Sequence, residues 1–412
     1  MSEKTHILIL GGGILGSATA WHLAQAGAEE VTVLDPDLAG TYSSSELNAG
    51  GARATWWQGI NMELARDSLR FYRKIAAEIQ FVPKGYLFLY PRSKWVVALS
   101  KQKEYEAKGI PVNYLETADL KARLPEFPNL KGVAGATHSP EDGLLDPHLL
   151  REFYRVGAKA KGVKFLDRHF FTAVEVHGDR VDAVETRHWK EKILPEAVLH
   201  TLLTEHRLSG DHWRPRKWRP QIVINCTGAW MGPTSSRYGR SAPVRALRRQ
   251  IALFESHEED FSDRGMIVDS SGLYFHAEGR EGGRILAGYS NRDEAAGFRF
   301  HYDGDRFFDR KIWLRLYRRG GRRHFGALKH LRGWAGLYGV GPDQTALLGP
   351  VSGLSNLFEL GAATGRGVMQ SFALGRAMAE RVLHGRFLSL DATPLDPIRF
   401  ERGDLLPERL DI

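Results

Sequence analysis

A short strand, a glycine-rich turn and a helix near the start of the chain constrain the fold more than any other feature of the sequence. The apolar run Ile7–Leu10 breaks into residues 11–16, Gly-Gly-Gly-Ile-Leu-Gly, after which small residues recur at helical spacing. A second apolar run, Val31–Leu34, ends in Asp35. This order, with an acidic residue roughly 20 positions beyond the last glycine, is typical of a unit that binds a dinucleotide.

Each part of this unit has a physical task. Gly11 permits the tight turn, Gly13 lets the backbone approach a pyrophosphate, and Gly16 lets the helix pack on the strand. The helix start offers N–H groups and a positive dipole to phosphates, and a carboxylate at Asp35 would accept hydrogen bonds from ribose hydroxyls and repel a 2′-phosphate. A packed turn that binds nothing is the alternative. The residues predicted to contact the dinucleotide are Gly11, Gly13, Ile14, Leu15, Gly16 and Asp35.

Length and composition predict a globular protein of more than one lobe. The 412 residues exceed one typical domain, and 42% hydrophobic with 26% charged residues is an ordinary soluble composition. The single cysteine, Cys226, excludes an intramolecular disulfide framework and a cysteine-rich metal site, so we expect a reducing, cytoplasmic setting and no metal. The opening apolar run is too short for a signal peptide or a membrane span and is interpreted as a strand.

A basic segment, residues 315–332, carries much of the net charge of +8. Its cations are Arg315, Arg318, Arg319, Arg322, Arg323, Lys329 and Arg332. Three interpretations stay open: a solvated face, a peripheral contact with anionic lipids at the inner face of a membrane, and a dock for an acidic redox partner or respiratory complex. Nucleic acid is disfavoured because no recognised binding motif accompanies these charges.

Motifs along nearly the whole chain resemble those of one superfamily. After Asp35 comes a polar, glycine-rich loop, Tyr42-Ser-Ser-Ser-Glu-Leu-Asn-Ala-Gly-Gly-Ala-Arg53. Further matches are Lys84-Gly-Tyr-Leu-Phe88, Gly143-Leu-Leu-Asp-Pro147, Val223-Ile-Asn-Cys-Thr-Gly-Ala-Trp230, Asp269-Ser-Ser-Gly-Leu-Tyr274, Trp334-Ala-Gly-Leu-Tyr338 and Gly365-Arg-Gly-Val-Met-Gln-Ser371. In this order they resemble the D-amino-acid oxidase-like superfamily of FAD-dependent oxidoreductases. Within it the chain is most similar to the sarcosine, dimethylglycine and proline dehydrogenases and to a mitochondrial FAD-dependent oxidoreductase-domain protein linked to complex I assembly.

The resemblance implies an α/β fold of two interleaved lobes. A Rossmann-like FAD-binding lobe would comprise residues 1–85, 146–240 and 333–390, and an α+β substrate lobe built on an antiparallel sheet would comprise residues 86–145 and 241–332. A tail, residues 391–412, would follow. Independently, residues 251–254, 273–275 and 285–287 are apolar runs separated by turn residues, as in an antiparallel sheet. The charged, proline-interrupted residues 187–220 are interpreted as a surface excursion.

The resemblance also implies further cofactor contacts, beyond the N-terminal unit. These are Ser43, Ser44, Ser45, Asn48, Ala49, Gly50, Val174, Thr227, Gly228, Trp230, Gly336, Gly365, Arg366, Gly367, Val368 and Met369. The FAD is expected to be non-covalent, because Asn48 and Gly336 stand where some relatives carry the linking histidine or cysteine.

By the same resemblance, the chain would oxidise a secondary or N-methylated amino acid by hydride transfer from the carbon beside nitrogen to flavin N5. The implied catalytic residues are Arg53, Tyr274, Tyr338 and Arg366. Where sarcosine oxidases hold a lysine over the flavin, this chain has Leu286. We therefore expect a dehydrogenase that passes electrons to an electron-transfer flavoprotein or a quinone rather than to oxygen.

Two other functions are alternatives to this one. A flavin-binding assembly factor for a respiratory complex, with little or no catalysis, is the main alternative. An NAD-dependent enzyme is disfavoured because the Val223-to-Trp230 and Gly365-to-Ser371 motifs resemble those of flavoproteins.

Overall fold

The computed structural model describes residues 2–279, 283–291 and 293–410. Its strands, in chain order, are β1 (Ser2–Lys4), β2 (Ile7–Leu10), β3 (Val31–Leu34), β4 (Gly51–Ala52), β5 (Tyr86–Tyr90), β6 (Asn113–Leu115), β7 (Gly135–Ser139), β8 (Gly143–Leu144), β9 (Lys164–Leu166), β10 (His169–His177), β11 (Arg180–Trp189), β12 (Trp213–Arg219), β13 (Ile222–Asn225), β14 (Arg245–Ser256), β15 (Met266–Val268), β16 (Leu273–Ala277), β17 (Arg284–Tyr289), β18 (Leu328–Val340), β19 (Leu347–Val351) and β20 (Leu354–Gly361).

The α-helices follow the same numbering. They are α1 (Ile14–Gln25), α2 (Gly59–Lys74), α3 (Arg92–Ser100), α4 (Gln102–Ala107), α5 (Thr117–Arg123), α6 (Pro147–Lys159), α7 (Glu196–Glu205), α8 (Met231–Ser236), α9 (Asp305–Phe307), α10 (Leu314–Phe325), α11 (Gly367–His384) and α12 (Ile398–Arg402).

A six-stranded sheet forms the base of the nucleotide-binding part. Its order is β19-β20-β13-β2-β3-β9, with the five strands from β20 to β9 parallel and β19 antiparallel at the edge. Strands β2 and β3 are apolar except at Thr32 and buried along their whole length, because a parallel sheet of this kind is covered on both faces. The predicted strand–turn–helix–strand order is therefore confirmed.

Helices cover one face of this sheet and a second sheet covers the other. Helices α1, α2, α6 and α11 pack together on the first face. Gly375 lets α11 approach α1 closely, since a Cβ there would lie 2.8 Å from Ala18. On the second face, the four-stranded sheet β1-β12-β11-β10 contributes Val184 and Trp218 to one apolar cluster with Leu8 and Leu34. The result is a three-layer body whose parallel strands end at one edge.

An eight-stranded sheet forms the second part of the molecule. Its order is β18-β14-β17-β16-β15-β5-β7-β6, antiparallel except for the β15–β5 pair. One face packs on α5, α10 and the helical turns before α10; the other carries aromatic and aliphatic side chains toward the nucleotide-binding part. The antiparallel strands expected at residues 251–254, 273–275 and 285–287 are confirmed as β14, β16 and β17.

Two observations refine the expected layout, whose lobe boundaries stay predictions. Strand β18 carries residues 333–340 into the eight-stranded sheet, although we assigned them to the FAD-binding lobe. The excursion at 187–220 contains α7, whose Leu199 and Leu202 are buried, so it is more than a surface loop. Among the described residues, every helix is too short or too polar to cross a bilayer.

Candidate functional site

A deep cleft opens at the carboxyl ends of β2, β3 and β13, where doubly wound sheets bind their ligands. Its walls enclose about 1520 Å³, open mouth included. Sixteen of the predicted site residues line it: Gly11, Gly13, Ile14, Leu15, Asp35, Ser43, Ser44, Ser45, Asn48, Thr227, Gly228, Trp230, Tyr338, Gly365, Gly367 and Val368. Residues from six separate stretches of sequence therefore meet in one cavity.

The glycine-rich turn forms a floor made of backbone. Gly11 has a φ of +98°, and a Cβ on it would lie 2.6 Å from the Cys226 carbonyl oxygen. A Cβ on Gly16 would lie 1.9 Å from the Gly11 carbonyl oxygen, so helix α1 and strand β2 are in direct contact there. Gly13 is the N-cap of α1 and has only the Ser45 hydroxyl nearby, at 3.3 Å. The helix start thus faces the cleft with only the Ser45 side chain beside it, which leaves room for a pyrophosphate.

The Asp35 carboxylate lies at the end of β3 and lines the cleft. It accepts hydrogen bonds from the Gly12 N–H at 2.6 Å and the Asp37 N–H at 2.8 Å. Burial raises the pKa of Asp35 from 3.8 to about 6, and these two hydrogen bonds and Arg155 oppose the shift. A ligand that donates hydrogen bonds to the carboxylate would offset this desolvation, as a ribose diol does.

We expect Asp35→Asn to weaken FAD binding about ten- to a hundredfold, since a charge-assisted hydrogen bond is worth on the order of 1.5 to 3 kcal/mol.

In the apoprotein, the same substitution should change how the free energy of unfolding depends on pH. Because the folded pKa is raised, the Asp35 contribution to stability is present below pH 3.8 and lost as pH rises through about 6. Chemical denaturation of apoprotein across this range should show less loss of stability with rising pH for Asp35→Asn than for the parent. An identical slope in both proteins would contradict the assignment.

The serine-rich loop is folded against the start of α1. The Ser45 hydroxyl accepts a hydrogen bond from the Ile14 N–H at 2.8 Å, and the Ser44 hydroxyl donates to the Leu337 carbonyl. Asn48 organises the turn, donating to the Ser45 carbonyl at 2.7 Å and accepting from the Gly50 N–H at 2.7 Å. The side chain at this position therefore serves the loop, with no atom suited to a covalent flavin link.

The same loop is held from the other side by the eight-stranded sheet. The Trp334 indole donates to the Leu47 carbonyl at 3.0 Å, and His276 Nε2 lies 2.9 Å from the Ala49 carbonyl. The other ring nitrogen, Nδ1, lies 2.7 Å from the Ala277 carbonyl, and burial lowers the pKa of His276. His276 therefore links the loop to β16 and has a structural role.

The other predicted cofactor residues lie behind the lining. Gly16 packs on Gly11, as described, and Ala49 and Gly50 belong to the loop backbone. Val174 lies on β10 in the cluster between two sheets. Gly336 faces Leu47, whose Cβ would lie 3.1 Å from a Cβ at 336. Met369 is buried in the first turn of α11. Direct contact of these residues with a cofactor stays a prediction.

Helix α11 begins at the same cleft. Gly365 has a φ of +78°, and a Cβ there would lie 2.5 Å from the Tyr338 ring, so the turn before the helix packs directly on that tyrosine. Arg366 is the N-cap residue and Gly367 opens the helix. Two helix starts, those of α1 and α11, therefore face one cavity and favour negative charge within it.

Sequence reasoning missed two cleft arginines on helix α6. Arg151 lies 3.0 Å from the Glu46 carboxylate, and Arg155 donates to the Leu38 carbonyl at 2.8 Å and to the Gly12 carbonyl. Both are almost fully buried and line the cleft beside the glycine turn. Their spacing of one helical turn on an amphipathic helix was the available signal, although it is equally typical of a solvated face.

The excursion closes another side of the cleft. Leu203 and His206, from α7 and the residue that follows it, line the cavity. The Trp230 indole donates to the Leu203 carbonyl at 2.8 Å, and Arg237 donates to the His206 carbonyl at 3.1 Å. From the serine-rich loop, Tyr42 donates to the Glu196 carboxylate. No motif indicated this role of the excursion.

Two of the predicted catalytic residues, Arg53 and Arg366, meet at one tryptophan. Their guanidinium carbons lie 3.5 Å and 4.9 Å from the centre of the Trp56 ring, and each arginine is 2% exposed. Arg53 also lies 4.6 Å from the Phe88 ring. Arg53 is therefore a buried arginine and does not lie on the surface. Two buried positive charges stabilised by aromatic faces lie close together here.

The two predicted tyrosines, Tyr274 and Tyr338, are neighbours as well. Burial raises the pKa of each, and each appears among the groups that shift the other, so both stay neutral hydroxyls at pH 7. The Arg249 guanidinium lies 5.3 Å from the Tyr338 ring centre and affects the pKa of both tyrosines. Arg249 was not predicted. Its place on β14, opposite Gly336 of β18, aims it at the same side of the sheet.

Comparison with known proteins agrees with the dinucleotide site that this geometry indicates. A family model described as FAD dependent oxidoreductase (DAO) matches residues 6–381. The chain belongs to the DAO family of FAD-dependent oxidoreductases. FAD is accordingly the dinucleotide that the glycine turn, Asp35 and the two helix starts fit.

Individual relatives span most of the chain. Bovine (Bos taurus) FAD-dependent oxidoreductase domain-containing protein 1 is 28% identical over 98% of this chain and 87% of its own length. Human (Homo sapiens) mitochondrial dimethylglycine dehydrogenase is 21% identical over 97% of this chain and 44% of its own length. The solved structure of L-proline dehydrogenase from P. horikoshii superposes with a TM-score of 0.81 at 24% identity, covering 98% of this chain and all of that one. The last comparison shows a shared fold.

Proposed function

We propose that the chain oxidises a secondary or N-methylated amino acid. When bound, FAD supplies the hydride acceptor at N5. The observation that carries the proposal is the tyrosine pair Tyr274 and Tyr338 with Arg249 beside it, on the sheet face that looks toward the cleft. A neutral aromatic wall with one cation suits a small ligand that has an apolar body and a carboxylate. The names of two relatives, L-proline dehydrogenase and dimethylglycine dehydrogenase, indicate substrates of that kind for those proteins.

The aromatic wall also favours the reactive protonation state. An amine must lose its proton before the carbon beside it can give up a hydride. Trp56, Trp334 and the two tyrosines offer a low-dielectric surrounding, in which the charged form of an amine is disfavoured. Positive charge on Arg53 and Arg366 opposes the ammonium form further. These residues would therefore lower the pKa of a bound amine.

The experiment mixes the purified protein with each of a panel of secondary amino acids in the absence of oxygen. Loss of flavin absorbance measures the reduction. Proline against pyrrolidine, and sarcosine against dimethylamine, isolate the carboxylate. We expect bleaching by at least one amino acid and not by its decarboxylated partner, with Arg249→Met weakening it mainly through KM. Bleaching by none would sink the proposal and favour the assembly-factor alternative.

Electron transfer to a carrier rather than to oxygen is part of the proposal. Leu286 is buried on β17 within an apolar cluster that includes Tyr274 and Met266, so it presents no cation. An electron-transfer flavoprotein or a quinone is the class of acceptor that this arrangement favours.

We expect the FAD to be non-covalent. Asn48 and Gly336 offer no nucleophile, and burial raises the pKa of the Cys226 thiol to about 12, which makes it unreactive. Acid precipitation should leave all yellow colour in the supernatant. A pellet that fluoresces on a denaturing gel would contradict this expectation.

A peripheral contact through residues 315–332 is proposed with a smaller set of charges than the sequence indicated. Arg319 is buried in an ion pair with Asp269 at 2.7 Å, and Arg315 donates to the Arg310 and Lys311 carbonyls in the helical turns before α10. Exposed cations remain at Arg318, Arg322, Arg323, Lys329 and Arg332. We propose a cytoplasmic protein that binds the inner face of a membrane through them. Co-sedimentation with anionic vesicles that is lost in about 0.5 M salt, because salt screens the charges, would support this proposal. Equal binding to neutral vesicles would contradict it.

A further inference from the structure

The last described residues of the chain fold back onto the loop that carries Arg53. Four N–H donors converge on the Glu408 carboxylate: the Trp57 N–H at 2.7 Å, the Gln58 N–H at 3.2 Å, the Asn61 amide at 3.0 Å and the Leu410 N–H at 3.0 Å. Three of them lie where α2 begins: the backbone N–H groups of Trp57 and of the N-cap residue Gln58, and the side-chain amide of Asn61. A carboxylate from the far end of the described chain therefore fixes the segment that leads into this helix, at its positive end. Glu408 is 6% exposed.

The turn made by Glu408 delivers a carbonyl to Arg53. One arm of the Arg53 guanidinium donates to the Leu410 carbonyl at 2.8 Å, and the other donates to the Thr55 carbonyl. The planar group is held between the Trp56 and Phe88 rings. The positive charge of Arg53 also acts on the buried Asp142, where it opposes the rise in pKa that burial causes. Without the Leu410 carbonyl, Arg53 would lose one of its two backbone partners and its direction would no longer be fixed.

The tail is itself anchored on a buried ion pair. Arg399 donates to Asp343 at 2.8 Å, and Asp343 accepts from the Leu406 N–H at 3.1 Å. The Thr345 hydroxyl donates to the Leu406 carbonyl at 2.8 Å. Residues 406–410 are therefore fixed at both ends, between this ion pair and the start of α2.

We propose that the C-terminal tail is a positioning element of the active site, in which Glu408 places the Leu410 carbonyl and thereby fixes where the positive charge of Arg53 lies. This inference rests on the proposed function, to which it adds that the catalytic role implied for Arg53 is electrostatic support of negative charge on the flavin. The tail touches no substrate or reacting atom; it acts through Arg53 and through Trp56, which Arg53 and Arg366 share.

The test compares three variants as FAD-loaded proteins: Glu408→Gln, Arg53→Met and Arg409→Ala. Sulfite is the probe, because it adds to oxidised flavin as an anion and its dissociation constant reports nearby positive charge. We expect Glu408→Gln to raise the sulfite Kd on the order of tenfold, since displaced electrostatic groups lose much of their effect. Arg53→Met should raise it at least as much. The matched control, Arg409→Ala, removes an exposed tail side chain whose guanidinium carbon lies 5.1 Å from the centre of the Trp57 ring, and it should leave the Kd unchanged.

The double variant Glu408→Gln/Arg53→Met decides whether the tail acts through Arg53. The inference requires it to match Arg53→Met alone, whereas additive effects would overturn the inference. If Arg53→Met raises the sulfite Kd and Glu408→Gln does not, the tail inference fails and the proposed role of Arg53 stands. If neither changes it, both fail. Should Glu408→Gln lose its FAD, Glu408→Asp keeps the charge, withdraws the carboxylate by one methylene and is held to the same outcomes.

Discussion

A Gly13→Val protein is expected to fold and to purify without FAD. Gly13 has φ −66° and ψ −169°, a conformation that valine adopts readily, and its one near neighbour is the Ser45 hydroxyl at 3.3 Å. The protein itself therefore tolerates a side chain here. The added methyl groups would instead stand in front of the α1 helix start, where the pyrophosphate lies. We expect FAD affinity to fall on the order of a hundredfold, since overpacking costs up to about 3 kcal/mol and every 1.4 kcal/mol is about a tenfold change in affinity.

The neighbouring glycine gives the contrast that makes this result interpretable. A Cβ on Gly16 would lie 1.9 Å from the Gly11 carbonyl oxygen, so Gly16→Val should lower the melting temperature of the apoprotein as well as remove FAD. Gly59→Ala, at the first residue of α2, where a Cβ would lie no closer than 3.7 Å to a neighbouring atom, serves as the control for handling and expression. The measurements are the ratio of flavin to protein absorbance and the apoprotein melting curve. A folded Gly13→Val protein with full flavin occupancy would remove the basis for the site.

Replacing Leu286 by lysine is expected to accelerate the reaction of the reduced protein with oxygen on the order of a hundredfold. The effect follows from a fixed positive charge at a place where electron transfer to oxygen builds negative charge. Leu286 is 5% exposed and pairs across the sheet with Leu253 and His276. Desolvation there would lower the pKa of an introduced lysine, so the acceleration should fade as pH rises through that lowered pKa.

The control for this prediction is Leu286→Met, which introduces an unbranched side chain, as lysine does, but leaves the position apolar and uncharged. Photoreduced protein is mixed with aerated buffer, and its reoxidation is compared with that produced by a quinone or an electron-transfer flavoprotein. Stopped-flow absorbance of the flavin gives both rates. If the unmutated protein reoxidises in oxygen as fast as with a carrier, the dehydrogenase proposal is wrong and the chain is an oxidase.

The parts of the site that the sequence predicted are those built from contiguous residues. The turn at residues 11–16, the acid at Asp35 and the loop at residues 42–53 each carry their geometry locally, through glycine conformations and helix starts. The antiparallel strands of the second sheet were predicted for the same reason. Period and turn residues are local signals, and they located β16 and β17 to within a few residues, whereas β14 extends eight residues beyond the four that were predicted.

The parts that escaped prediction depend on residues brought together from afar. Arg249 is noticed only once β14 is paired with β18, and Arg155 only once α6 packs beside α1. Helix α7 gave no motif at all, since its two cleft residues are an ordinary leucine and histidine. Nothing in residues 391–412 suggested the contact between Leu410 and Arg53, because every residue has a backbone carbonyl and the residue type does not show which one accepts a hydrogen bond.

The scattered origin of the six-stranded sheet has a consequence for how the protein is made. Strands β2 and β3 leave the ribosome early, but β9, which pairs with β3, is about 130 residues further along, and β13, which pairs with β2, is about 215 residues further along. The edges of the β2–β3 pair therefore stay bare until β9 and β13 are made, and the cleft lacks the start of α11 until the chain is nearly complete. Loading of FAD must be a late event, after synthesis of α11, and a nascent chain stalled before residue 367 should bind none. Bare strand edges can pair with other chains while synthesis continues. Because FAD binds and stabilises only the finished fold, the supply of the cofactor governs the yield of folded protein.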